Sequence, residues 1–118
     1  MVDWKIYSNP ACSKCRQAVQ LLQDMGLEPE IVEYLKETPS VEDIESFIRM
    51  SDTDPGQFIR PKDAKDGSIE NLDVTDIRAV AEAIHAQPGM LQRPVVVHGG
   101  RSVIARPAEL LKSLIQQN

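Results

Sequence analysis

Cysteine is scarce in this chain, and long apolar runs are absent from it. The 118 residues include only two cysteines, Cys12 and Cys15, which are too few and too close together for the disulfide framework of a small secreted protein. No apolar stretch approaches the length of a membrane span, and the N-terminal residues lack the basic and apolar regions of a signal peptide. These absences predict a soluble, cytoplasmic protein.

Basic residues are outnumbered by acidic ones. The chain has 13 lysines and arginines and 18 aspartates and glutamates, which gives a formal net charge of −5. This balance argues against a nucleic-acid partner and against a membrane surface, although enough arginine remains to build a local anion site. The length predicts a single domain over residues 1–118. A domain of this size can bury a core that is stable without disulfides or a bound metal.

Apolar periodicity and turn residues predict alternating strands and helices in the first half of the chain. The elements expected there are a strand centred on residues 5–7, a helix over 13–25, a left-handed cap at Gly26, a strand over 30–35, and a helix that opens with a Ser40–Asp43 capping box.

The second half is predicted to contain a helical insertion, roughly residues 51–90, followed by a β-hairpin and a closing helix. The insertion has a polar loop over 51–72 with at most short helical turns, and a helix over 73–85 that ends at Pro88-Gly89. The hairpin covers 94–105 around Gly99-Gly100. The closing helix starts near Pro107. Its residues expected to face inward are Leu110, Leu111, Leu114 and Ile115.

This order of elements is β-α-β-α, helical insertion, β-β-α. It predicts an α/β protein with a thioredoxin-like fold and a small mixed sheet.

The C-x-x-C motif lies between the first strand and the first helix. A helix N-terminus stabilises a thiolate, and the side chains of Lys14 and Arg16 add positive charge, so Cys12 is predicted to be a nucleophile. The free amides of the same helix turn can hold an oxyanion. The alternative is that Cys12 is a small buried packing residue.

Cys15 is a candidate resolving thiol for a disulfide with Cys12, or an inert packing residue. The two basic neighbours are expected to favour thiolates at both sulfurs, which would promote that disulfide. A zinc site would need Cys12, Cys15, His85 and His98, but the spacing of the histidines fits no finger pattern, so no metal is expected.

Three arginines directly precede proline: Arg60, Arg93 and Arg106. Proline holds the preceding residue in extended geometry, and the planar arginine fork suits a tetrahedral oxyanion. Arg93 and Arg106 stand at the two outer ends of the predicted hairpin, so their side chains are expected near the same place. The alternative is that each arginine pairs with a surface carboxylate.

Five segments of the chain together carry a resemblance to a known family. They are residues 7–16 (YSNPACSKCR), 30–39 (EIVEYLKETP), 58–60 (FIR), 92–97 (QRPVVV) and 106–109 (RPAE). In this order, and over nearly the whole chain, they resemble the glutaredoxin-type arsenate reductases. The likeness implies that Cys12 attacks arsenate and that Arg60, Arg93 and Arg106 bind the oxyanion. It also implies that Pro94 is a structural cis-proline.

The resemblance further implies a reaction with no bound cofactor. Arsenate or a similar oxyanion is the expected partner, glutathione the co-substrate, and glutaredoxin or thioredoxin the electron donor. Two positions depart from the family pattern: Ser8 stands where established reductases often have histidine, and Cys15 where they usually have serine. Ser8 brings no charge to the thiolate, so less activation of Cys12 is expected. The C-x-x-C also resembles Spx-like redox regulators of transcription that partner RNA polymerase. A general thiol–disulfide oxidoreductase is the other alternative.

Overall fold

Four strands form one mixed sheet in the computed structural model, which describes residues 4–65, 67 and 69–115. The strands are β1 (Trp4–Ser8), β2 (Glu30–Glu33), β3 (Val95–His98) and β4 (Arg101–Ile104). Their order is β2-β1-β3-β4. β1 runs parallel to β2 and antiparallel to β3, which is antiparallel to β4. The N-terminal residues 1–3, where no signal peptide was expected, and both ends of the domain expected over 1–118 lie outside the described residues.

Helices cover both faces of the sheet. They are α1 (Ser13–Asp24), α2 (Val41–Arg49), α3 (Ile77–Ala86) and α4 (Lys112–Ile115). Short 3-10 turns occupy Pro55–Phe58, Pro61–Asp63, Pro88–Met90 and Ala108–Leu111. The predicted thioredoxin-like α/β fold with its mixed sheet is confirmed. No helix among the described residues is long and apolar enough to cross a membrane.

Alternation along the strands divides the core into two clusters. Trp4 and Ile6 of β1 belong to a cluster with α1 and the C-terminal turns, whereas Tyr7 belongs to a second cluster with α2 and α3. In β3, Val95 joins the α2/α3 cluster and Val96 joins the α1 cluster. Both faces of the central strands are therefore buried, which fixes the register of the sheet because a one-residue slip would exchange the two sets.

The local signals read from the sequence are confirmed. Ser40 Oγ accepts a hydrogen bond from the Asp43 amide at 3.0 Å and caps α2. Gly26 has φ +80° after α1, and the hairpin turn places both Gly99 and Gly100 at positive φ, which residues with a Cβ rarely adopt.

The helix predicted over 73–85 begins four residues later, at Ile77. Asp73 accepts hydrogen bonds from the amide and the hydroxyl of Thr75, at 3.0 and 2.6 Å, and Asp76 caps the helix by accepting from the Ala79 amide at 3.2 Å. Asp73 bonds the backbone ahead of the helix, which competes with helical geometry, and the cap at Asp76 fixes the helix start after it. Val74, which falls within the predicted helix but ahead of the observed one, is exposed.

Two other boundaries also differ from expectation. The second strand ends at Glu33, two residues before the predicted end, and Leu35 is exposed in the following turn. The closing segment begins as a 3-10 turn, in which side chains repeat every three residues. This spacing buries Leu111 and Leu114 and leaves Leu110 and Ile115, both expected inside, exposed.

Removal of the α2 cap tests how much this local signal contributes. Ser40→Ala deletes the acceptor for the Asp43 amide and is expected to lower the free energy of unfolding by about 1 kcal/mol. Ser46→Ala, at an exposed position inside the same helix, is the matched control and should be neutral or slightly stabilising. Equal urea midpoints for the two variants would show that the cap contributes nothing.

Candidate active site

One edge of the sheet collects the residues singled out from the sequence. The parallel strands β1 and β2 both end at this edge, the antiparallel β3 begins there, and β4 ends there. Cys12 follows β1, Arg93 and Pro94 precede β3, and Arg106 follows β4. The sheet therefore brings together side chains that lie far apart in the sequence.

Cys12 is the N-cap residue of α1, with extended backbone at φ −93° and ψ 123°. Its amide donates to the Asn9 carbonyl at 2.9 Å, and its carbonyl accepts from the Arg16 amide at 3.1 Å. The Cys12 side chain is partly exposed, whereas Cys15 is fully buried. Of the two thiols, Cys12 is the one that molecules in solution can reach.

Opposing effects set the acidity of Cys12. Burial favours the neutral thiol, but hydrogen bonds from the amide and the thiol of Cys15 favour the thiolate. The Arg106 side chain and the Lys14 amide act in the same direction, and the pKa of Cys12 falls to about 7. Roughly half of the molecules therefore carry the reactive thiolate at neutral pH, even though Ser8 brings no charge.

The cation beside the sulfur is Arg106, from the other end of the chain. Its Nη1 lies 3.9 Å from Cys12 Sγ. The two basic residues expected to activate the thiol act differently: Lys14 contributes through its backbone amide, and Arg16 Nη1 donates to the Pro10 carbonyl at 2.8 Å. Sequence proximity alone pointed to the wrong side chains.

Arg93 and Arg106 meet as the hairpin geometry predicts. Arg106 Nη1 donates to the backbone carbonyl of Arg93 at 3.2 Å. The Arg93–Pro94 peptide bond is cis, the form implied by the family resemblance, and the Arg106–Pro107 bond is cis as well. The Pro94 carbonyl accepts from the Ala105 amide at 2.9 Å, which extends the β3–β4 pairing to this edge.

Arg60 reaches the site through a short antiparallel bridge between Ile59 and Leu91. This bridge holds the segment ending in Arg60 against the segment leading to Arg93. Arg60 Nε lies 2.9 Å from Asp63 Oδ2, and Arg93 Nη1 lies 3.6 Å from the same oxygen. Both arginine side chains are only 14% exposed. Contacts thus run continuously from the sulfur to all three arginines.

Asp63 is a member of this cluster that the sequence analysis missed. It lies in the 3-10 turn Pro61–Asp63, which places its carboxylate one turn after Arg60. The available signal was the acidic residue three positions after an arginine at the start of a proline turn. The alternative in which the arginines pair with a surface carboxylate holds in part, because Asp63 is 35% exposed and contacts two of them.

The pKa of Cys15 is shifted in the opposite direction to the pKa of Cys12. Burial raises the pKa of Cys15, the neighbouring Cys12 sulfur raises it further, and hydrogen bonds from the Asn9 backbone and the Ser8 side chain offset this only in part. The prediction that nearby basic residues favour a thiolate at both sulfurs is therefore wrong for Cys15. Ser8 itself is buried, and its hydroxyl forms a hydrogen bond with the buried thiol of Cys15.

The two histidines do not join the cysteines. His85 Nδ1 lies 2.8 Å from the Pro39 carbonyl, and the His98 ring stacks on Trp4 with centroids 3.8 Å apart. Within residues 4–65, 67 and 69–115, no three histidine, cysteine, aspartate or glutamate side chains are grouped to hold a metal ion.

Comparison with known proteins agrees with the geometry. The model of the ArsC family matches residues 7–114. An arsenate reductase of Haemophilus influenzae is 33% identical over 113 residues, which cover 93% of this chain and 97% of that protein. The uncharacterized protein YfgD of Escherichia coli is 32% identical over 117 residues, covering 94% and 95% respectively. The solved structure of an arsenate reductase from Vibrio cholerae superimposes with a TM-score of 0.80 at 28% identity, covering 96% of this chain and 98% of that one.

The pH dependence of Cys12 alkylation tests the contact with Arg106. In the unmodified protein the rate is expected to rise with pH and to reach half its maximum near pH 7, since the pKa is about 7. Arg106→Gln removes the cation and should raise that midpoint toward the ordinary value of about 8.5. Arg101→Gln, which breaks an exposed ion pair with Asp52, is the control. Identical midpoints for all three proteins would contradict the assignment.

Proposed function

The chain belongs to the ArsC family, and we propose that it reduces arsenate to arsenite with the Cys12 thiolate as nucleophile. The observation that supports this most strongly is the position of Arg106, whose Nη1 lies 3.9 Å from Cys12 Sγ and 3.2 Å from the Arg93 carbonyl. A guanidinium beside a thiolate both favours its ionisation and offers a binding group to an approaching oxyanion.

Arg60, Arg93 and Arg106 bind arsenate in this proposal. Their planar forks donate paired hydrogen bonds, and their charge persists at every physiological pH. Arg60 and Arg93 are mostly buried, so water and salt screen their attraction for an anion less than at an open surface. Asp63 holds these two side chains in place. The amides of residues 13–15, at the start of α1, assist.

The first step forms a bond between Cys12 sulfur and arsenic. The thiolate attacks arsenate, an As–O bond breaks, and the departing oxygen leaves as water after taking a proton. The guanidinium groups stabilise the charge on the remaining oxygens as arsenic is attacked.

Reduction follows when the thiolate of glutathione attacks the Cys12 sulfur. The electron pair of the As–S bond passes to arsenic, which becomes arsenic(III), and a mixed disulfide of Cys12 and glutathione remains. A second glutathione, or glutaredoxin, reduces that disulfide. In total, arsenate and two thiols yield arsenite, one disulfide and water.

A general thiol–disulfide oxidoreductase is the second candidate. The hydrogen bond between the thiol of Cys15 and Cys12 favours it, because the two sulfurs are then close neighbours. Against it, burial raises the pKa of Cys15, which leaves little thiolate for attack at neutral pH. Glutathione from solution therefore resolves the partly exposed Cys12 in our proposal. The Spx-like regulator remains a prediction from the sequence.

The two cysteines provide a matched pair of variants for the central test. Arsenite production is measured with arsenate, glutathione and glutaredoxin. Cys12→Ser should abolish it because the nucleophile is gone, and Cys15→Ser should retain it. Turnover by Cys12→Ser would refute the assignment. Loss in both variants, with disulfide reduction by the unmodified protein in the absence of arsenate, would favour the oxidoreductase.

Replacement of each arginine by lysine tests oxyanion binding. Lysine keeps the charge and loses the fork, and a hydrogen bond to a charged group is worth about 1.5–3 kcal/mol. Arg60→Lys, Arg93→Lys and Arg106→Lys should each weaken arsenate or sulfate binding by about tenfold or more in calorimetry, whereas Arg101→Lys should not. Unchanged affinity in all three variants would show that these arginines do not bind the oxyanion.

A further inference from the structure

Tyr34 lies immediately after β2, at the same edge of the sheet as Cys12. β1 and β2 are parallel and Ser8 pairs with Glu33, so Tyr34 is level with the start of the Cys12 loop. Its side chain is 0% exposed and belongs to the α2/α3 cluster of the core.

The hydroxyl of Tyr34 has no hydrogen-bond partner within residues 4–65, 67 and 69–115, although it is buried. The Nε of Arg93 is buried and unpartnered in the same way. A third such atom, Oε1 of Glu33, has the ammonium group of Lys36 at 3.3 Å. An unsatisfied buried polar group costs roughly 1–3 kcal/mol, so such groups are few in folded proteins. Tyr34 and Arg93 each present an unused donor, and each could be satisfied by the same kind of acceptor.

The surroundings of Tyr34 connect it to the candidate active site. Burial raises the pKa of this phenol to about 12, with the charge of Arg93 lowering it and that of Cys15 raising it. Cys12 also raises this pKa, and Arg60 also lowers it. A phenol with this pKa keeps its proton throughout the physiological range, so its hydroxyl remains a neutral donor within the electrostatic influence of Arg93 and Arg60.

We propose that the Tyr34 hydroxyl donates a hydrogen bond to an oxygen of the tetrahedral oxyanion that Arg93 binds. The proposal rests on the proposed function, since it adds a neutral donor to the three cationic groups of the same site. An anion can accept from both unpartnered donors, the Tyr34 hydroxyl and the Arg93 Nε, because it offers several oxygens. Its negative charge also complements the guanidinium of Arg93. Sulfur is a weaker acceptor, and it would leave the Arg93 Nε unsatisfied.

Tyr34 then acts as a binding residue with an energetic signature that a packing residue lacks. In the free protein its unsatisfied hydroxyl lowers the free energy of unfolding, whereas in the complex it contributes a hydrogen bond to a charged ligand. Loss of the hydroxyl should therefore weaken anion binding without destabilising the free protein. A purely structural hydroxyl would shift both quantities in the same direction or leave both unchanged.

The test compares Tyr34→Phe with Tyr7→Phe. Tyr7 is also buried and has a pKa raised to about 12, but by burial and by the carboxylates of Asp43 and Glu30, and it lines a separate cavity of about 300 Å³ with Lys5. Arsenate and sulfate binding are measured by calorimetry, and the urea midpoint is measured without anion. Tyr34→Phe is expected to bind both anions about tenfold or more weakly with an equal or higher midpoint. Tyr7→Phe is expected to bind as the unmodified protein does.

Three results would overturn the proposal, and they are distinguishable. If Tyr34→Phe keeps full anion affinity while Arg60→Lys loses it, the site binds oxyanions and Tyr34 takes no part. If affinity is kept and the alkylation midpoint of Cys12 rises, the hydroxyl donates to sulfur. If the unmodified protein itself binds neither anion, the proposed function fails together with the role of Tyr34.

Discussion

The contact of Arg106 with Cys12 is the interaction on which the arrangement of the site depends. One Nη1 atom lies 3.9 Å from the sulfur and 3.2 Å from the Arg93 carbonyl, so it joins Cys12 to the arginines that we propose bind the anion. Cys12 follows β1 and Arg106 follows β4, and β3 lies between these strands. A change in sheet order or register would separate them. The pKa of Cys12 is lowered mainly by the amide and thiol of Cys15 at the helix N-terminus, and the further contribution of Arg106 is a consequence of the topology.

Positive charge is concentrated at this edge at an energetic cost. Arg60 and Arg93 are largely buried, and burial of cations is unfavourable unless they are paired. Asp63 offsets part of the cost for both side chains, and Arg93 Nη1 also donates to the Gly89 and Leu91 carbonyls at 3.1 and 3.0 Å. Among the described residues, Arg93 Nε nevertheless has no hydrogen-bond partner. Stability alone does not account for such a donor, whereas the anionic ligand proposed above would.

Signals that act within a few residues could be predicted from the sequence. The cap at Ser40 and the placement of Cys12 at the start of a helix depend on side chains next to the backbone they bond. The contributions of Arg106 to thiol acidity and of Asp63 to the positioning of Arg93 could not be predicted, because each depends on which distant segments pair. Tyr34 was missed for the same reason, since a tyrosine after a strand carries no signal until the neighbouring loops are in place. The Arg-Pro pattern and the family resemblance each identified the three arginines, but neither gave their partners or their burial.

Arsenic K-edge absorption spectroscopy of the protein mixed with arsenate tests the central claim most directly. The account predicts arsenic bonded to one sulfur when the unmodified protein is frozen before glutathione is added, and arsenic bonded to oxygen alone in Cys12→Ser. Subsequent glutathione should convert the bound species to arsenic(III). An arsenic–sulfur bond of equal intensity in Cys12→Ser, or none in the unmodified protein under conditions of arsenite production, would contradict the proposed attack of Cys12 on arsenate.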